Sequence, residues 1–372
     1  MTHAFPAGRL SGQADKLASL AAEAAEEADR TGVLCAGLVA ALSDSGLPRH
    51  FVPARWGGSD GTFTELTGVL VTLGRSCASA AWVGSMFAYT ARFATHLPVR
   101  AQEEVWADGP DPLWVPGLVP AGRSRRVEGG YRLTGRWTYV SGSEFADWAL
   151  LAGPQPGPDA APPLFHAVPR TDFAVERTWD AVGMRATGSH AVVLDDVFVP
   201  EHRTVPLPEV LGGSNRMSDS VQHNVPLPAV GGLTCLAPVL GTARSALSAC
   251  VTTVAGKRTG GGSAALDVTL TGAAAAVDTA ALLVERLATV LDAGEDRVHA
   301  LRNARDSAFT ASLLREAVDG LMRAAGTAAQ NRGGAPQRNW RDVTVATSHA
   351  ALRMEKAASA YADSFDPHAL PV

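Results

Sequence analysis

The chain has 372 residues, more than one hydrophobic core usually supports, so two or three sub-domains are expected. Hydrophobic residues make up 46% and charged residues 19%, which excludes a disordered chain, and no uninterrupted apolar stretch of membrane-spanning length is expected. The formal net charge is -5 and no basic stripe is present, so we expect small molecules or other subunits as partners, with no nucleic acid and no membrane.

The cysteines indicate a reducing compartment and no metal site. Cys35, Cys77, Cys235 and Cys250 form neither a CxxC pair nor a zinc-ligand spacing with histidine. The first residues lack the basic and apolar regions of a signal peptide. We therefore expect a cytoplasmic protein that binds no metal.

The first region, residues 1–112, is predicted to be helical. An amphipathic helix begins near Ser11, and breaks follow at 45–48 and 56–60. A second helical run extends from about Phe63 to Trp106 and is interrupted near Pro98.

The second region, residues 113–225, is predicted to be a β domain. From Trp114 to about Val210 short runs of alternating apolar and polar residues are separated by glycine and proline, as in the segment 131–140. This texture differs from the helical segments on both sides.

The third region, residues 226–372, is predicted to be a helical bundle. Alanine- and leucine-rich amphipathic stretches from about Gly231 to Ala362 account for four helices of bundle length. The glycines at 260–262 are interpreted as a turn, because a dinucleotide fingerprint requires a preceding strand and 245–257 is typical of a helix. Apart from His349, and from His223, which stays unassigned, the histidines are interpreted as core or surface residues.

Two β segments carry a more specific pattern. The first spans 129–143 and continues to Trp148, and the second spans 178–189 and continues to Pro200. Both resemble the β domain of the acyl-CoA dehydrogenase superfamily, and more narrowly its flavin-dependent monooxygenase branch. That branch includes two-component aromatic hydroxylases and amino-sugar N-oxygenases. The resemblance extends to the segments 46–53, 79–82 and 337–349, and so covers almost the whole chain.

The resemblance implies an α+β fold of the acyl-CoA dehydrogenase type. Its parts would be an N-terminal helical domain, a central β-barrel domain and a C-terminal four-helix bundle. It also implies a homotetramer, with the flavin between the β domain of one subunit and the bundle of another.

By position, the resemblance implies that four residues at the end of a strand line the edge of the isoalloxazine ring: Trp137, Tyr139, Ser141 and Ser143. A serine hydroxyl that holds the flavin N5–H in a site without water would prolong the life of a C4a peroxide, so Ser141 and Ser143 are also catalytic candidates. The alternative for Trp137 is a hairpin with a buried tryptophan.

A second polar group lies at Arg185, Thr187 and Ser189. These residues are candidates to bind the flavin or its phosphate, and an ordinary turn is an equally weighted alternative.

A third group comprises Arg338, Arg341, Asp342 and His349, whose spacing would place the last three on about one face of the last helix. Arg338 and Asp342 are cofactor-binding candidates. The resemblance implies that His349 faces the flavin, where it would deprotonate a phenol or hydrogen-bond the peroxide. The alternative is an ion-paired helix start with His349 in the core.

The sequence therefore predicts a two-component flavin-dependent monooxygenase. It would use reduced flavin (FMN or FAD), O2 and a C4a-hydroperoxyflavin to hydroxylate or N-oxygenate a small organic substrate, in secondary metabolism. Without a dinucleotide fingerprint, reduced flavin would come from a separate NAD(P)H:flavin reductase.

Two alternatives remain, an acyl-CoA dehydrogenase with bound FAD and a non-catalytic, flavin-free relative. The first is disfavoured because the late glutamate context of acyl-CoA dehydrogenases does not follow His349. Thr90 stands where many aromatic hydroxylases carry a histidine, which leaves N-oxygenation or a polyketide substrate open.

Overall fold

The computed structural model describes residues 10–155, 161–259 and 264–364. The predicted turn at 260–262, together with His3 and His368, lies outside these ranges. In chain order the described residues form helices, then strands, then helices again, as predicted. The boundaries at 112 and 225 stay a prediction.

The described residues of the first region, from 10 onward, form five α-helices. The predicted start at Phe63 and the interruption at Pro98 are both found, and a further break at Cys77 divides the predicted long run in two. The helices are α1 (Ser11–Thr31), α2 (Ala36–Asp44), α3 (Phe63–Ser76), α4 (Ala78–Ala94) and α5 (Val99–Val105).

The amino end of α3 is fixed by two side chains. The Thr62 hydroxyl accepts the Glu65 N–H at 3.2 Å, which is a standard helix cap. The Asp292 carboxylate, from the third region, accepts the N–H groups of Phe63 and Thr64 at 2.7 and 2.9 Å. The positive end of a helix favours such an anion, so this contact joins the first and third regions.

The strands described in the middle region, which leave out residues 156–160, form two four-stranded sheets rather than one closed barrel. Their orders are β1-β4-β5-β8 and β2-β3-β7-β6, and every described pairing is antiparallel except that of β1 with β4. The strands are β1 (Trp114–Gly117), β2 (Arg123–Val127), β3 (Gly130–Val140), β4 (Trp148–Gly153), β5 (Leu164–Pro169), β6 (Ala174–Glu176), β7 (His190–Pro200) and β8 (Thr204–Pro206).

The helices of the last region differ in length, although four of bundle length were predicted. Three are long and the next two are short, because Gly333, Gly334 and Pro336 interrupt the pattern. After the short α6 (Leu207–Leu211) come α7 (Leu227–Thr259), α8 (Ala264–Asp292), α9 (Asp296–Ala325), α10 (Ala335–Ala346) and α11 (Met354–Ala362).

Helix α7 lies at the centre of the protein. It packs against α3, α8, α9 and α10. Within the described ranges, one segment, Leu227–Ala255, is long and apolar enough to cross a membrane, which the sequence analysis did not expect. About 61% of its apolar window is buried, as in the core helix of a folded protein.

Two glycines allow α3 and α7 to approach closely. A Cβ at Gly74 would lie 2.5 Å from the Pro238 carbonyl oxygen, and a Cβ at Gly241 would lie 2.2 Å from the Val71 carbonyl oxygen. The Thr242 hydroxyl lies 3.2 Å from the Gly74 carbonyl oxygen at the same crossing. The crossing therefore sets the position of α7 against the first region.

His223, left unassigned from the sequence, holds the connection that precedes α7. The ring is fully buried, with Nε2 at 2.6 Å from the Phe51 carbonyl oxygen and Nδ1 at 2.7 Å from the Ser218 hydroxyl. Burial lowers the pKa of His223, so the ring is neutral. This arrangement favours a structural role.

Gly241→Ala tests the crossing of α3 and α7. The added methyl group would meet backbone atoms that cannot rotate away, so we expect a loss of about 1 to 3 kcal/mol in the free energy of unfolding, measured by urea titration. The matched control is Gly272→Ala on α8, where a Cβ would meet nothing within 4 Å. That change should stabilise the protein by up to about 1 kcal/mol. Equal effects of the two substitutions would contradict this account.

Candidate active site

Trp82 connects two of the predicted catalytic groups. Its indole N–H donates to the Ser141 hydroxyl oxygen at 3.1 Å. Its ring centroid lies 5.7 Å from that of His349, with the two rings at 71°. Trp82 is only 7% exposed, so α4 holds it in a fixed position. The end of β3 and the segment after α10 therefore meet at one tryptophan.

A bulge at the end of β3 decides which residues face this site. The register with β7 shifts between Trp137 and Val140, and Tyr139 has a φ of 60°. Trp137 is buried, and its indole N–H donates to the Ala152 carbonyl at 2.7 Å. This placement favours the buried tryptophan that the sequence analysis gave as the alternative.

Tyr139 points away from Trp137. It is 75% exposed, and its ring meets the Trp179 ring edge-on at 6.3 Å between centroids. Val182, 67% exposed, follows in the same loop as Trp179. These side chains present apolar surface to solvent in the single chain.

Ser141 is one of three hydroxyl groups in a chain of hydrogen bonds. Its oxygen lies 2.8 Å from that of Ser189, which lies 2.7 Å from that of Thr187. The Thr187 hydroxyl donates to the Met184 carbonyl at 3.0 Å. The three hydroxyl-bearing residues are all buried. The structure thus brings together three of the predicted residues on one side of Trp82.

Ser143 and Arg185 hold the backbone around this chain. The Ser143 hydroxyl, fully buried, donates to the Gly188 carbonyl at 3.1 Å. Arg185 donates to the carbonyls of Asp29 and Ala181, at 2.7 and 3.1 Å. Both side chains use these bonds to fix the turn between β6 and β7. Their predicted roles toward the flavin stay a prediction.

His190 positions the loop that carries Trp179. Its Nδ1 accepts the N–H groups of Thr178 and Trp179, both at 3.0 Å, so the proton of the neutral ring lies on Nε2. Nε2 lies 3.3 Å from a carboxylate oxygen of Glu144. His190, which the sequence analysis interpreted as a core or surface residue, therefore connects β7 to this loop.

The interpretation of Asp342 and His349 as residues on one helical face was wrong. Helix α10 ends at Ala346, and His349 begins the next single helical turn with extended backbone. A further helix, α11, follows it. His349 reaches Trp82 from this turn.

The surroundings of His349 determine its tautomer. Nδ1 accepts the Ala351 N–H at 3.2 Å and lies 3.5 Å from the buried Cys235 sulfur. Burial raises the pKa of Cys235 to about 12, so the thiol keeps its proton and has Nδ1 as an acceptor. The protein around the ring lowers the pKa of His349 by removing water from its charged form, although His349 is an exposed residue in the single chain. The neutral ring therefore carries its proton on Nε2, and this N–H is a donor.

The remaining predicted residues line a separate cleft along α10. Asp342, Arg338, Asn339 and Cys77 border it, next to the amino end of α4, and its volume is about 280 Å³ including space open to solvent. Burial raises the pKa of Asp342 to about 6, and the carboxyl accepts the Met184 N–H at 2.6 Å. The Met184 carbonyl accepts a hydrogen bond from the Thr187 hydroxyl. Met184 therefore contacts both Asp342 in this cleft and the chain of hydroxyl groups.

An ion pair that the sequence analysis did not specify joins α10 to the first helix. Arg341 holds the Asp29 carboxylate through two N–H groups at 3.0 and 2.6 Å and also donates to the Val182 carbonyl. The side chains of Arg341 and Asp29 are mostly buried. This pair aligns α1, α10 and the Val182 loop.

Sequence reasoning missed Trp82 and Cys235 as parts of the site. Trp82 lies in the quoted segment 79–82, so a signal was present, whereas nothing near Cys235 in the sequence indicates a contact with His349. Thr90 donates to the Met86 carbonyl of its own helix at 2.6 Å and is buried. Within the described part of the chain, no group of three or more His, Cys, Asp or Glu side chains has metal-site geometry.

One observation in particular indicates that the residues of this site can bind a reduced flavin ring. Ser141 accepts from Trp82 and lies 2.8 Å from Ser189, and when it donates to Ser189 one lone pair of its oxygen remains for a further donor. The exposed ring of Tyr139 offers apolar surface to an aromatic group.

Comparisons with known proteins find sequences similar to this chain. Residues 233–354 match the family model "Acyl-CoA dehydrogenase, C-terminal domain". The chain is 31% identical to the oxygenase component of the FADH(2)-dependent resorcinol hydroxylase of Rhizobium sp. (strain MTP-10005), over 95% of this chain and 92% of that protein.

Two solved structures are similar over nearly their whole length. The 3-HSA hydroxylase of Rhodococcus sp. RHA1 has a TM-score of 0.89 at 26% identity, covering 96% of each chain. XiaF of Streptomyces sp., in complex with FADH2 and glycerol, has a TM-score of 0.87 at 29% identity, covering 98% of this chain and 97% of that one. The predicted fold class is confirmed.

Asp342→Asn should remove a pH-dependent contribution to stability. Because burial raises the pKa of Asp342 from 3.8 to about 6, its protonated form stabilises the fold below about pH 4, and this contribution is lost as the pH rises through 6. The loss is about 3 kcal/mol at roughly 1.4 kcal/mol per pKa unit. Asparagine keeps an oxygen for the Met184 N–H.

The measurement is the free energy of unfolding of both proteins in urea between pH 4 and 7. As the pH rises, we expect the free energy of unfolding of the wild type to fall by about 3 kcal/mol relative to that of the variant. A difference that stays constant over this range would show that Asp342 does not titrate in the folded protein near pH 6.

Proposed function

Since the chain belongs to the acyl-CoA dehydrogenase superfamily, and within it to the oxygenase components of two-component flavin-dependent monooxygenases, we propose that it hydroxylates a phenolic aromatic substrate. The observation that carries the proposal is the pairing at Trp82 of a hydrogen-bond acceptor, Ser141, with a hydrogen-bond donor, the His349 Nε2–H. Reduced flavin, when bound, supplies the electrons that activate O2.

Ser141 is proposed to receive the flavin. Its hydroxyl oxygen has one lone pair left, and reduced flavin carries a hydrogen on N5 that this lone pair can accept. In this proposal the flavin-binding region also includes the other predicted residues: Tyr139, Ser143, Arg185, Thr187, Ser189 and, along α10, Arg338 and Asp342. Trp137 would not contact the flavin directly but would fix β3 in the core.

His349 is proposed to meet the oxygen of the phenol. Its Nδ1 is occupied by the Ala351 N–H and the Cys235 thiol, so the ring presents Nε2–H rather than a free lone pair. A donor at this point would hydrogen-bond the phenol oxygen and so hold the aromatic ring in one orientation for attack. The geometry therefore favours a hydrogen-bonding role over the general base that the sequence analysis considered.

The substrate class draws further support from the relatives. Two of them are named as hydroxylases, one of resorcinol and one of 3-HSA. The neutral donor at His349 suits a phenolic oxygen, which can accept its hydrogen bond.

The assembly is proposed to be a homotetramer. Helices α8 and α9 carry apolar side chains that are exposed in the single chain and that neighbouring subunits would cover. They are Val268, Leu282, Leu301 and Phe309, with exposures of 72, 49, 43 and 48%. The exposed Tyr139 and Val182 are consistent with a flavin site completed by a second subunit.

An oxygenase component implies a separate flavin reductase as partner. A cytoplasmic location is part of the proposal and is supported by the cysteines. None of the four forms a disulfide in the described part of the chain, and three of them are buried.

A single-turnover experiment tests the function. Reduced FMN or FAD is bound without oxygen and mixed with oxygenated buffer containing a phenol, and the product is identified by mass spectrometry. We expect one added oxygen atom on the ring, and no oxidation of NADH or NADPH by the protein alone. An N-oxygenated product from an amine panel, or reduction of bound FAD by an acyl-CoA, would overturn the assignment.

The role of His349 is tested with His349→Gln and His349→Leu. Glutamine keeps an N–H donor near the position of Nε2, whereas leucine of similar size has none. If His349 donates a hydrogen bond, the glutamine variant should keep the ratio of product to O2 consumed within about threefold, and the leucine variant should lose on the order of tenfold or more.

The same pair separates the two chemical roles. A general base cannot be replaced by either residue, so equal losses in both variants would contradict the donor role. If neither variant changes the ratio, and only thermal stability falls, His349 is structural.

A further inference from the structure

We infer that Thr187 and Ser189 fix the direction of hydrogen bonding at Ser141, and that this direction makes the site select reduced over oxidised flavin. The inference rests on the proposed function, in which Ser141 meets the flavin ring. Thr187 and Ser189 would then be positioning residues, since they act through Ser141 rather than on the cofactor.

The groups at the two ends of the hydrogen-bonded chain of hydroxyls differ in chemistry. At one end the Trp82 indole N–H can only donate, and it donates to Ser141 at 3.1 Å. At the other end the Met184 carbonyl can only accept, and the Thr187 hydroxyl oxygen lies 3.0 Å from it. Two oxygens at this distance repel each other unless a hydrogen lies between them, so Thr187 directs its proton to Met184.

The direction of the remaining bonds follows from the single proton on each hydroxyl. Because Thr187 has given its proton to Met184, it accepts the proton of Ser189 at 2.7 Å. Ser189 in turn accepts the proton of Ser141 at 2.8 Å. Ser141 is left without a free proton and with one unused lone pair.

The surroundings keep this order from reversing. Ser141, Ser189 and Thr187 are 8, 6 and 1% exposed, so water has little access to reorient the hydroxyls. The backbone on both sides is tied as well, since the Gly142 N–H donates to the Thr187 carbonyl at 2.8 Å. The Met184 carbonyl also accepts the indole N–H of Trp179 at 2.9 Å, which fixes the end of the chain.

An acceptor at Ser141 distinguishes the two redox forms of a flavin. Reduced flavin has a hydrogen on N5 and donates it, whereas N5 of oxidised flavin is itself an acceptor. A serine oxygen with no free proton therefore binds the first and repels the second. This suits a protein that receives reduced flavin from a reductase and must release it once oxidised.

Thr187→Val tests the inference because valine has the shape of threonine without the hydroxyl. Loss of the acceptor frees the proton of Ser189, and Ser141 can then donate to a ligand. The preference, defined as the Kd of oxidised FMN divided by the Kd of reduced FMN, should fall about tenfold in this variant. Anaerobic isothermal titration calorimetry with reduced and with oxidised FMN gives the two Kd values without any turnover.

Two controls accompany this variant. Thr187→Ser keeps the hydroxyl and should keep the preference. Thr67→Val removes another fully buried threonine hydroxyl, on α3, which has no hydrogen-bond partner in the described structure, and should also leave the preference unchanged. If Thr187→Val does not fold, as judged by circular dichroism, Ser189→Ala replaces it. This variant breaks the chain of hydroxyls next to Ser141, and the preference for reduced flavin should fall by the same factor.

Ser141→Ala distinguishes failure of the inference from failure of the proposed function. If this variant binds both flavin forms as the wild type does, Ser141 does not meet the flavin and the proposed placement falls together with the inference. If Ser141→Ala changes the preference while folded Thr187→Val and Ser189→Ala do not, the placement stands and the directional chain is overturned.

Discussion

The three regions of this protein meet at one indole ring in the candidate site. Trp82 lies on a buried helix of the first region, donates to a serine at the end of a strand in the second, and packs against a histidine that follows a helix of the third. No two of these regions alone could form the site. A smaller side chain would lose both the hydrogen bond and the ring contact, and so would leave Ser141 and His349 without a common support.

A second set of contacts holds the turn that faces the tryptophan. Asp342 on α10 accepts the Met184 N–H, and Arg185 donates to the backbone of α1. A Cβ at Gly183 would lie 2.2 Å from the Arg341 carbonyl oxygen, so the turn packs directly against α10. The hydroxyl chain therefore sits on backbone that two helices fix, which is what a site that depends on the direction of hydrogen bonds requires.

Much of the fold was predictable because it depends on local pattern. The start of α3 at Phe63, the break at Pro98 and the first strand at Trp114 follow from caps, proline and alternation, and all three were found. The site was less predictable. A strand period of two places Trp137, Tyr139 and Ser141 on one face, but the bulge in β3 turns Tyr139 outward and leaves Trp137 in the core.

The contact between Cys235 and His349 shows a further limit. It joins residues 114 positions apart, and helical spacing suggested a different place for His349 because the end of α10 at Ala346 has no proline or glycine to mark it.

The groups around Trp82 have a common electrostatic character. They are hydroxyls, an indole, a thiol that keeps its proton and an imidazole whose pKa is lowered, so they are neutral at pH 7. The charged side chains Asp29 and Arg341 pair with each other further along α10. A neutral site does not hold water as strongly as a charged one, and burial of the three hydroxyl groups strengthens the hydrogen bonds between them. Selection between two forms of a ligand that differ by one hydrogen can then depend on the direction of a single hydroxyl group.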